Sequence, residues 1–283
     1  PLDASTRDIV RKPIPRSGEL LPALGMGSWI TFNVAPMTQA REQRVDILRA
    51  FFDGGGALID SSPMYGLAEA AIGYGLEQLG RPPALFSATK VWILSRLAGI
   101  GQMKASAALW GVPRFDLMQI HNMVDWETHL ETLRQWKAQG RIRYIGITTS
   151  HGRRHDAMEA VITGQEAFDF VQFSYSLADR EAERRLLPAA AAHGKAVIIN
   201  RPFRTGELLE QVRGRPLPAW AGEIGCTSWA QFLLKFVISH PAVTCTIPAT
   251  SRIDHMRENM LALRGPLPDA AMRQRMIEYF ERG

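Results

Sequence analysis

Short apolar runs alternate along this chain with stretches whose apolar residues recur at helical spacing. The runs fall at residues 21–27, 57–61, 85–90, 117–122, 144–149, 170–175, 196–202 and 243–249. Most are apolar throughout and do not alternate, which suits parallel strands covered on both faces. Between them, residues 41–53 place Val45, Leu48 and Phe52 on one helical face and stop at Gly54-Gly55-Gly56. Residues 69–79 stop at Gly80, 126–139 at Gly140, 179–193 at Gly194, and 228–239 just before Pro241. Helix, glycine and apolar strand recur in that order, which reads as repeated βα units.

Eight such strands in roughly 250 residues match an α/β chain folded as a (β/α)8 TIM barrel. An open doubly wound sheet usually carries Gly-x-Gly-x-x-Gly after its first strand. Here that strand gives Gly25-Met26-Gly27-Ser28-Trp29, without the third glycine. No linker or low-complexity segment divides the chain, so residues 1–283 are expected to form one barrel domain. The turn pair Ser17-Gly18 predicts an N-terminal β-hairpin over about 11–22 that caps the bottom of the barrel. An extra C-terminal helix is expected over 268–281.

Charge and cysteine content narrow the function classes. The formal charge is +5, but Lys and Arg are spread along the chain, and the densest cluster is only Gly152-Arg153-Arg154-His155. This argues against a nucleic-acid partner and for a solvated basic face or a pocket for an anionic cofactor. Arg153 and Arg154 are expected to be surface charges. Cys226 and Cys245 form no Cys-x-x-Cys pattern, so unpaired buried thiols are expected and no metal site. No apolar run approaches the roughly 18 residues a membrane span needs. A cytoplasmic protein is expected, or a periplasmic one if an export signal has been removed ahead of Pro1.

The chemistry lies at strand ends. Asp60 closes the second run, Lys90 the third and His121 the fourth, while Tyr65 follows Asp60 by five positions. In a barrel these ends open on one mouth. Carbonyl reduction needs a hydride, which only a nicotinamide or flavin supplies, and a proton, which Tyr65 can donate. A nearby Lys90 ammonium lowers a tyrosine pKa of about 10. Asp60 would hold Lys90, and His121 would orient the substrate oxygen. A lyase or aldolase with Lys90 as Schiff-base nucleophile is a rival use of the same lysine.

The run Leu58-Ile59-Asp60-Ser61-Ser62-Pro63-Met64-Tyr65-Gly66-Leu67-Ala68-Glu69-Ala70-Ala71-Ile72-Gly73 resembles the signature of the aldo-keto reductases. Four further segments, in the same order, are similar to that family. They are Gly27-Ser28-Trp29, Thr89-Lys90-Val91-Trp92, Gly140-Arg141-Ile142-Arg143-Tyr144-Ile145-Gly146-Ile147, and the stretch from Ile247-Pro248-Ala249-Thr250-Ser251 to Glu258-Asn259. The resemblance implies a catalytic tetrad of Asp60, Tyr65, Lys90 and His121. It implies NADPH across the barrel mouth, with NADH as the alternative. Asp60, Thr148, Thr149 and Gln172 would surround the nicotinamide. Thr250, Ser251 and Arg252 would meet the 2′-phosphate at a helix N-terminus, and Glu258 and Asn259 the adenine. Gly27, Ser28 and Trp29, with Asn200, Arg201, Pro202 and Phe203, complete the implied cofactor set. Trp29, Tyr65, Trp92, His121 and Asn122 would face a small carbonyl substrate, and a monomer is expected.

Several positions depart from the family pattern. Thr148-Thr149 replaces Ser-Asn, and Asn200 stands where an aromatic usually stacks on the nicotinamide, leaving Phe203 as the substitute ring. Ala249 and His255 replace basic residues, so Arg252 is the strong cation left for a phosphate. The segment 93–101 after Trp92 and the C-terminal tail are short, which implies an open substrate site. The altered cofactor contacts also leave room for a non-catalytic NADPH-binding barrel, acting as a redox sensor or interaction subunit. Asp125-Trp126-Glu127-Thr128-His129-Leu130 and Asn200-Arg201-Pro202-Phe203 resemble a bacterial subgroup, some of whose members carry twin-arginine export signals.

Overall fold

The computed structural model describes residues 8–165 and 167–282. Strands β1 (Arg11–Pro13) and β2 (Leu20–Pro22) form an antiparallel hairpin. Its Gly18 has φ +73°, a conformation that glycine adopts without a Cβ penalty. Eight parallel strands follow: β3 (Met26–Gly27), β4 (Leu58–Asp60), β5 (Phe86–Val91), β6 (Phe115–Ile120), β7 (Ile142–Thr148), β8 (Phe170–Ser174), β9 (Ala196–Asn200) and β10 (Cys245–Thr246). Each pairs with its neighbour in the chain. The ring closes between β10 and β3, where Gly25 N donates to Thr246 O at 2.8 Å and Gly27 N to Pro248 O at 3.0 Å. Helices α1 (Gln39–Asp53), α2 (Ala68–Gln78), α3 (Arg96–Trp110), α4 (Trp126–Ala138), α5 (His155–Gly164) and α6 (Leu186–Ala192) each follow a strand. The short α7 (Glu207–Gln211) and α8 (Trp229–Ser239) follow β9, α9 (Ile253–Met260) follows β10, and α10 (Ala270–Glu281) comes last. This is a (β/α)8 barrel with an N-terminal hairpin.

Strand parity divides the core in two. Leu58, Phe86, Ala88, Leu117, Tyr144, Phe170, Ala196, Ile198 and Cys245 share one cluster inside the barrel. Alternate residues such as Ile59, Val91, Met118, Val171 and Val197 pack outward under the helices in a larger cluster. The hairpin fills the bottom of the barrel: Ile14 and Leu21 join the inner cluster. Tyr144 OH donates to Glu19 Oε2 at 2.6 Å, and Arg143 pairs with Glu19 and with Asp116.

Helix ends follow their side chains. Thr38 Oγ1 accepts from Arg41 N at 3.2 Å to start α1, and Asp269 Oδ1 accepts from Met272 N at 2.8 Å to start α10. Gly73 is where α2 crosses α3. A Cβ there would lie 1.8 Å from Leu109 O, a backbone atom that cannot step aside. Gly73→Ala is therefore expected to cost at least the roughly 1–3 kcal/mol typical of overpacking, read from urea unfolding. A loss under half a kcal/mol would show that the two helices slide apart freely.

Four local expectations change. The run 21–27 serves two sheets, because Pro22 lacks the N–H needed to continue one ladder, and β3 begins only at Met26. The pattern 179–193 is not one helix. Pro188 offers no N–H to its preceding turn, so α6 starts at Leu186, with a separate turn at Glu181–Glu183. Ser228 is the cap of α8 and not its first residue. Finally, 93–101 is not all loop, since α3 begins at Arg96. Its buried stripe is only Gly99, Met103, Ser106 and Trp110, and two of the first six residues are glycine, which hides the helical period.

Candidate active site

Reading inward positions toward the C-terminal ends of the strands, apolar residues give way to polar ones. Leu58 is followed two residues on by Asp60, Ala88 by Lys90, Leu117 by Gln119, Phe170 by Gln172 and Ile198 by Asn200. The top layer of the barrel is thus a polar network above an apolar plug. Lys90 Nζ, fully buried, pairs with Asp60 Oδ2 and donates to Ser61 O at 2.7 Å. Asp60 Oδ1 accepts from Gln119 Nε2 at 2.7 Å and from Gln172 Nε2 at 3.1 Å. Asn200 Nδ2 continues the chain to Gln172 Oε1 at 3.2 Å and Thr149 O at 2.9 Å. A buried carboxylate with this many donors is held in one orientation.

Tyr65 ends a one-turn helix, Pro63–Tyr65, just beyond β4. Lys90 Nζ lies 5.2 Å from its ring centroid, and the His121 ring meets it edge-on at 5.7 Å. Burial raises the Tyr65 pKa; Lys90 pulls it down but does not outweigh burial, and Asp60 pushes it further up. Burial by itself lowers the Lys90 pKa, yet Asp60 and Tyr65 together hold the ammonium above its ordinary value. Burial, with Lys90 nearby, drives the His121 pKa down to about 2, so this imidazole is neutral. Behind the sheet, buried Glu69 accepts from Thr89 Oγ1 at 2.6 Å, Ser106 Oγ at 2.8 Å and Trp110 Nε1 at 3.1 Å. Burial raises its pKa, and these three donors oppose the rise.

Ser62 is the hydrogen-bond partner of His121 Nδ1. Its Oγ lies 2.9 Å from His121 Nδ1 and accepts from Met64 N at 3.2 Å. The hydroxyl can donate to Nδ1 or accept from it; donation, expected because Met64 N already takes one of its lone pairs, would leave the hydrogen on Nε2. Ser62→Ala removes this bond of about 0.5–1.5 kcal/mol and is expected to lower kcat/KM roughly 2- to 12-fold. Nitrogen NMR of His121 should show one tautomer in the parent and a mixture in the variant. A single tautomer in both would overturn the assignment.

These groups open on a cavity of about 700 Å³. Among the expected site residues, Gly27, Ser28, Trp29, Asp60, Tyr65, His121, Asn122, Thr148, Thr149, Gln172, Asn200, Arg201, Pro202 and Phe203 line it. Lys90 sits beneath it, and Trp92 stands beside His121, with ring centroids 6.4 Å apart. Ser251 and Arg252 line a separate recess of about 270 Å³, where Arg252 is paired with Asp254 at 2.6 Å. Thr250 caps its own turn by accepting from Arg252 N at 3.1 Å, Asn259 is buried, and neither they nor Glu258 line the main cavity.

Sequence reasoning passed over three participants. Gln119 shares the inward parity of Asp60 and Lys90, and that parity was the available signal. Arg153 and Arg154, expected as plain surface charges, line the cavity as well as being exposed. The loops carrying these residues are strained. Asn122, Met123 and Asp125 after β6, His151 and Arg154 after β7, and Arg201, Arg204 and Thr205 after β9 all have φ between +48° and +62°. Non-glycine residues in this region cluster where function over-determines the backbone.

Residues 23–275 match the profile of the Aldo/keto reductase family. The chain belongs to the aldo/keto reductase family, a class of oxidoreductases. It is 28% identical over 268 residues to the methylglyoxal reductase YeaE of Escherichia coli (strain K12), covering 93% of each chain. The crystal structure of an aldo-keto reductase from Klebsiella pneumoniae in complex with NADPH superposes with a TM-score of 0.81, at 25% identity over 96% of both chains. A second Klebsiella pneumoniae structure, in complex with NADP and acetate, gives 0.79 at 25% identity over 93% of both.

Proposed function

We propose that this protein reduces aldehyde or ketone carbonyls to alcohols with NADPH, using Tyr65 as the proton donor. The observation that carries this reading is the buried Lys90–Asp60 pair under Tyr65, with neutral His121 alongside, at the floor of one cavity. Relatives that reduce methylglyoxal or bind NADPH, by their names, support it.

The residues present fit a dinucleotide. Half-buried Arg201 lines the cavity and its guanidinium makes no hydrogen bond with a described residue, which suits a phosphate oxygen. Ala249 lines the main cavity and Ser251 the second recess, so an extended ligand crossing the turn between them would reach both. Gln172 and Thr149 would meet the nicotinamide end, Phe203 would supply the ring that Asn200 lacks, and Ser251 and Arg252 would lie toward the 2′-phosphate.

Bound NADPH supplies a hydride to the carbonyl carbon. Neutral His121, with hydrogen on Nε2, donates to the carbonyl oxygen and fixes its direction. Tyr65 OH gives its proton to that oxygen as charge develops there, and becomes phenolate. The Lys90 ammonium stabilises the phenolate, and Asp60 keeps Lys90 charged and in place. Because burial keeps Tyr65 protonated through neutral pH, the acid is in its working form where the reaction runs.

Fluorescence titration with NADPH and NADH, followed by the fall in absorbance at 340 nm with methylglyoxal or benzaldehyde, tests the proposal. NADPH binding with turnover is expected. Binding without turnover of any carbonyl would replace it by the sensor reading, and no binding of either nucleotide would remove both.

A further inference from the structure

The walls of the main cavity are chemically unlike. Toward β3, β4 and β5 the rim is apolar and faces water. Ile30 is 61% exposed, Met64 43% and Trp29 38%, and all three line the cavity, while Trp92 stands beside His121. This rim is anchored. Gln102 holds Trp92 N at 2.6 Å and Trp92 O at 3.2 Å, and Ser95 N donates to Asp125 Oδ2 at 2.8 Å. Large apolar side chains fixed in solvent at the lip of a cavity form a surface for an apolar ligand.

Toward β6 and β7 the character reverses. Arg153, Arg154 and His151 line the cavity. Arg154 Nη1 donates to Asn122 O at 3.0 Å, tying the guanidinium to the residue after His121. Its remaining donors meet no acceptor among the described residues. Among the described residues the one carboxylate lining the cavity, Asp60, is already paired with Lys90. An anion entering this side therefore meets the tethered Arg154 guanidinium and the exposed charge of Arg153. Arg201, after β9, lies close enough to His151 to lower its pKa as Arg153 does, and is the cation assigned above to the dinucleotide.

We propose that the site selects amphipathic carbonyl compounds, with an alkyl or aryl group laid on the Trp29–Ile30–Met64 rim and a carboxylate or similar anion held by Arg154. The carbonyl, between the two, faces Tyr65 and His121. This rests on the reductase reading and adds the substrate class to it. A 4-oxoalkanoate with a long alkyl chain has this shape.

The test compares 4-oxodecanoate, its methyl ester and 4-oxopentanoate. The acid is expected to exceed its ester in kcat/KM by about tenfold or more, as a charge-assisted hydrogen bond allows. Arg154→Met should cost the acid about tenfold more than the ester. Each added methylene should raise kcat/KM about fourfold while the chain lies on the rim, and the double variant Ile30→Ser/Met64→Ser should flatten that series. Equal rates for acid and ester, or a flat chain-length series, overturn the proposal while leaving the reductase reading intact. So does an equal loss on acid and ester in Arg154→Met with weakened NADPH binding, which would assign the guanidinium to the nucleotide. A chain-length series unmoved by the Ile30→Ser/Met64→Ser variant, with a dimer in sedimentation that it dissociates, would assign the rim to a second copy and overturn the proposal too. If no carbonyl is turned over, the reductase reading fails, and binding of decanoate by tryptophan quenching still decides. The proposal then requires Arg154→Met to weaken decanoate binding about tenfold, and unchanged binding overturns it.

Discussion

Tyr65→Phe is expected to lower kcat for carbonyl reduction about 10²- to 10⁴-fold, the range a positioned general acid supplies. NADPH should still titrate the variant's fluorescence, since the phenol hydroxyl is not needed to hold a nucleotide. The change removes one oxygen from a ring that stays packed against His121 and Lys90. The residual rate should rise with acidity of the medium, because a proton must then come from solvent. The pH profile carries a second check. His121, with its pKa driven down to about 2 by burial, contributes no inflection between pH 5 and 8. The parent activity should instead fall on the alkaline side as Tyr65 ionises, and Lys90→Met should move that fall to higher pH, because the cation that pulls the phenol down is gone. Retention of near-parent kcat by Tyr65→Phe would end the assignment of Tyr65 as the acid.

Asp60→Ala is expected to destabilise the fold by about 3–5 kcal/mol, because it strands the Lys90 ammonium in the interior without a counter-ion. It also removes the acceptor of Gln119 and Gln172. The double variant Asp60→Ala/Lys90→Met should be more stable than Asp60→Ala alone, since the second change deletes the unpaired charge. Urea unfolding of the parent and the two variants measures this, and equal losses for the single and double variants would show that the ammonium escapes to water. The pH dependence has a definite sign. The folded-state pKa of Lys90 lies above its ordinary value, so the folded chain holds this proton more tightly than the unfolded one. The stabilisation is complete below the unfolded pKa of about 10.4 and is lost as pH rises through the raised value. Lys90→Met should lack that alkaline loss.

Much of this was legible in the sequence, for reasons of period and punctuation. The repeat of helix, glycine and apolar strand specifies βα units wherever the buried stripe is made of large residues, as in α1 and α4. It fails at α3, whose buried stripe contains Gly99 and Ser106, and at residues 179–193, where one proline outweighs the apolar period. The four polar residues at strand ends were visible because a charged or aromatic-polar group closing an apolar run is a local event. Gln119 was not visible in the same way, since an uncharged amide two residues before His121 looks like ordinary strand polarity until the barrel closes.

By itself, the sequence determined the eight-strand barrel, the hairpin cap and the residue types available at its mouth, because these depend on patterning within single segments. The tertiary structure alone decided three further matters. It joined Asp60, Gln119, Gln172 and Asn200 into one network spanning β4 to β9. It made burial outweigh Lys90 in setting the Tyr65 pKa. It brought Arg154 to the wall of the cavity that the apolar rim also lines. Each of these depends on distance and desolvation between segments far apart in the chain. Those quantities come into being only when the sheet closes and water is excluded.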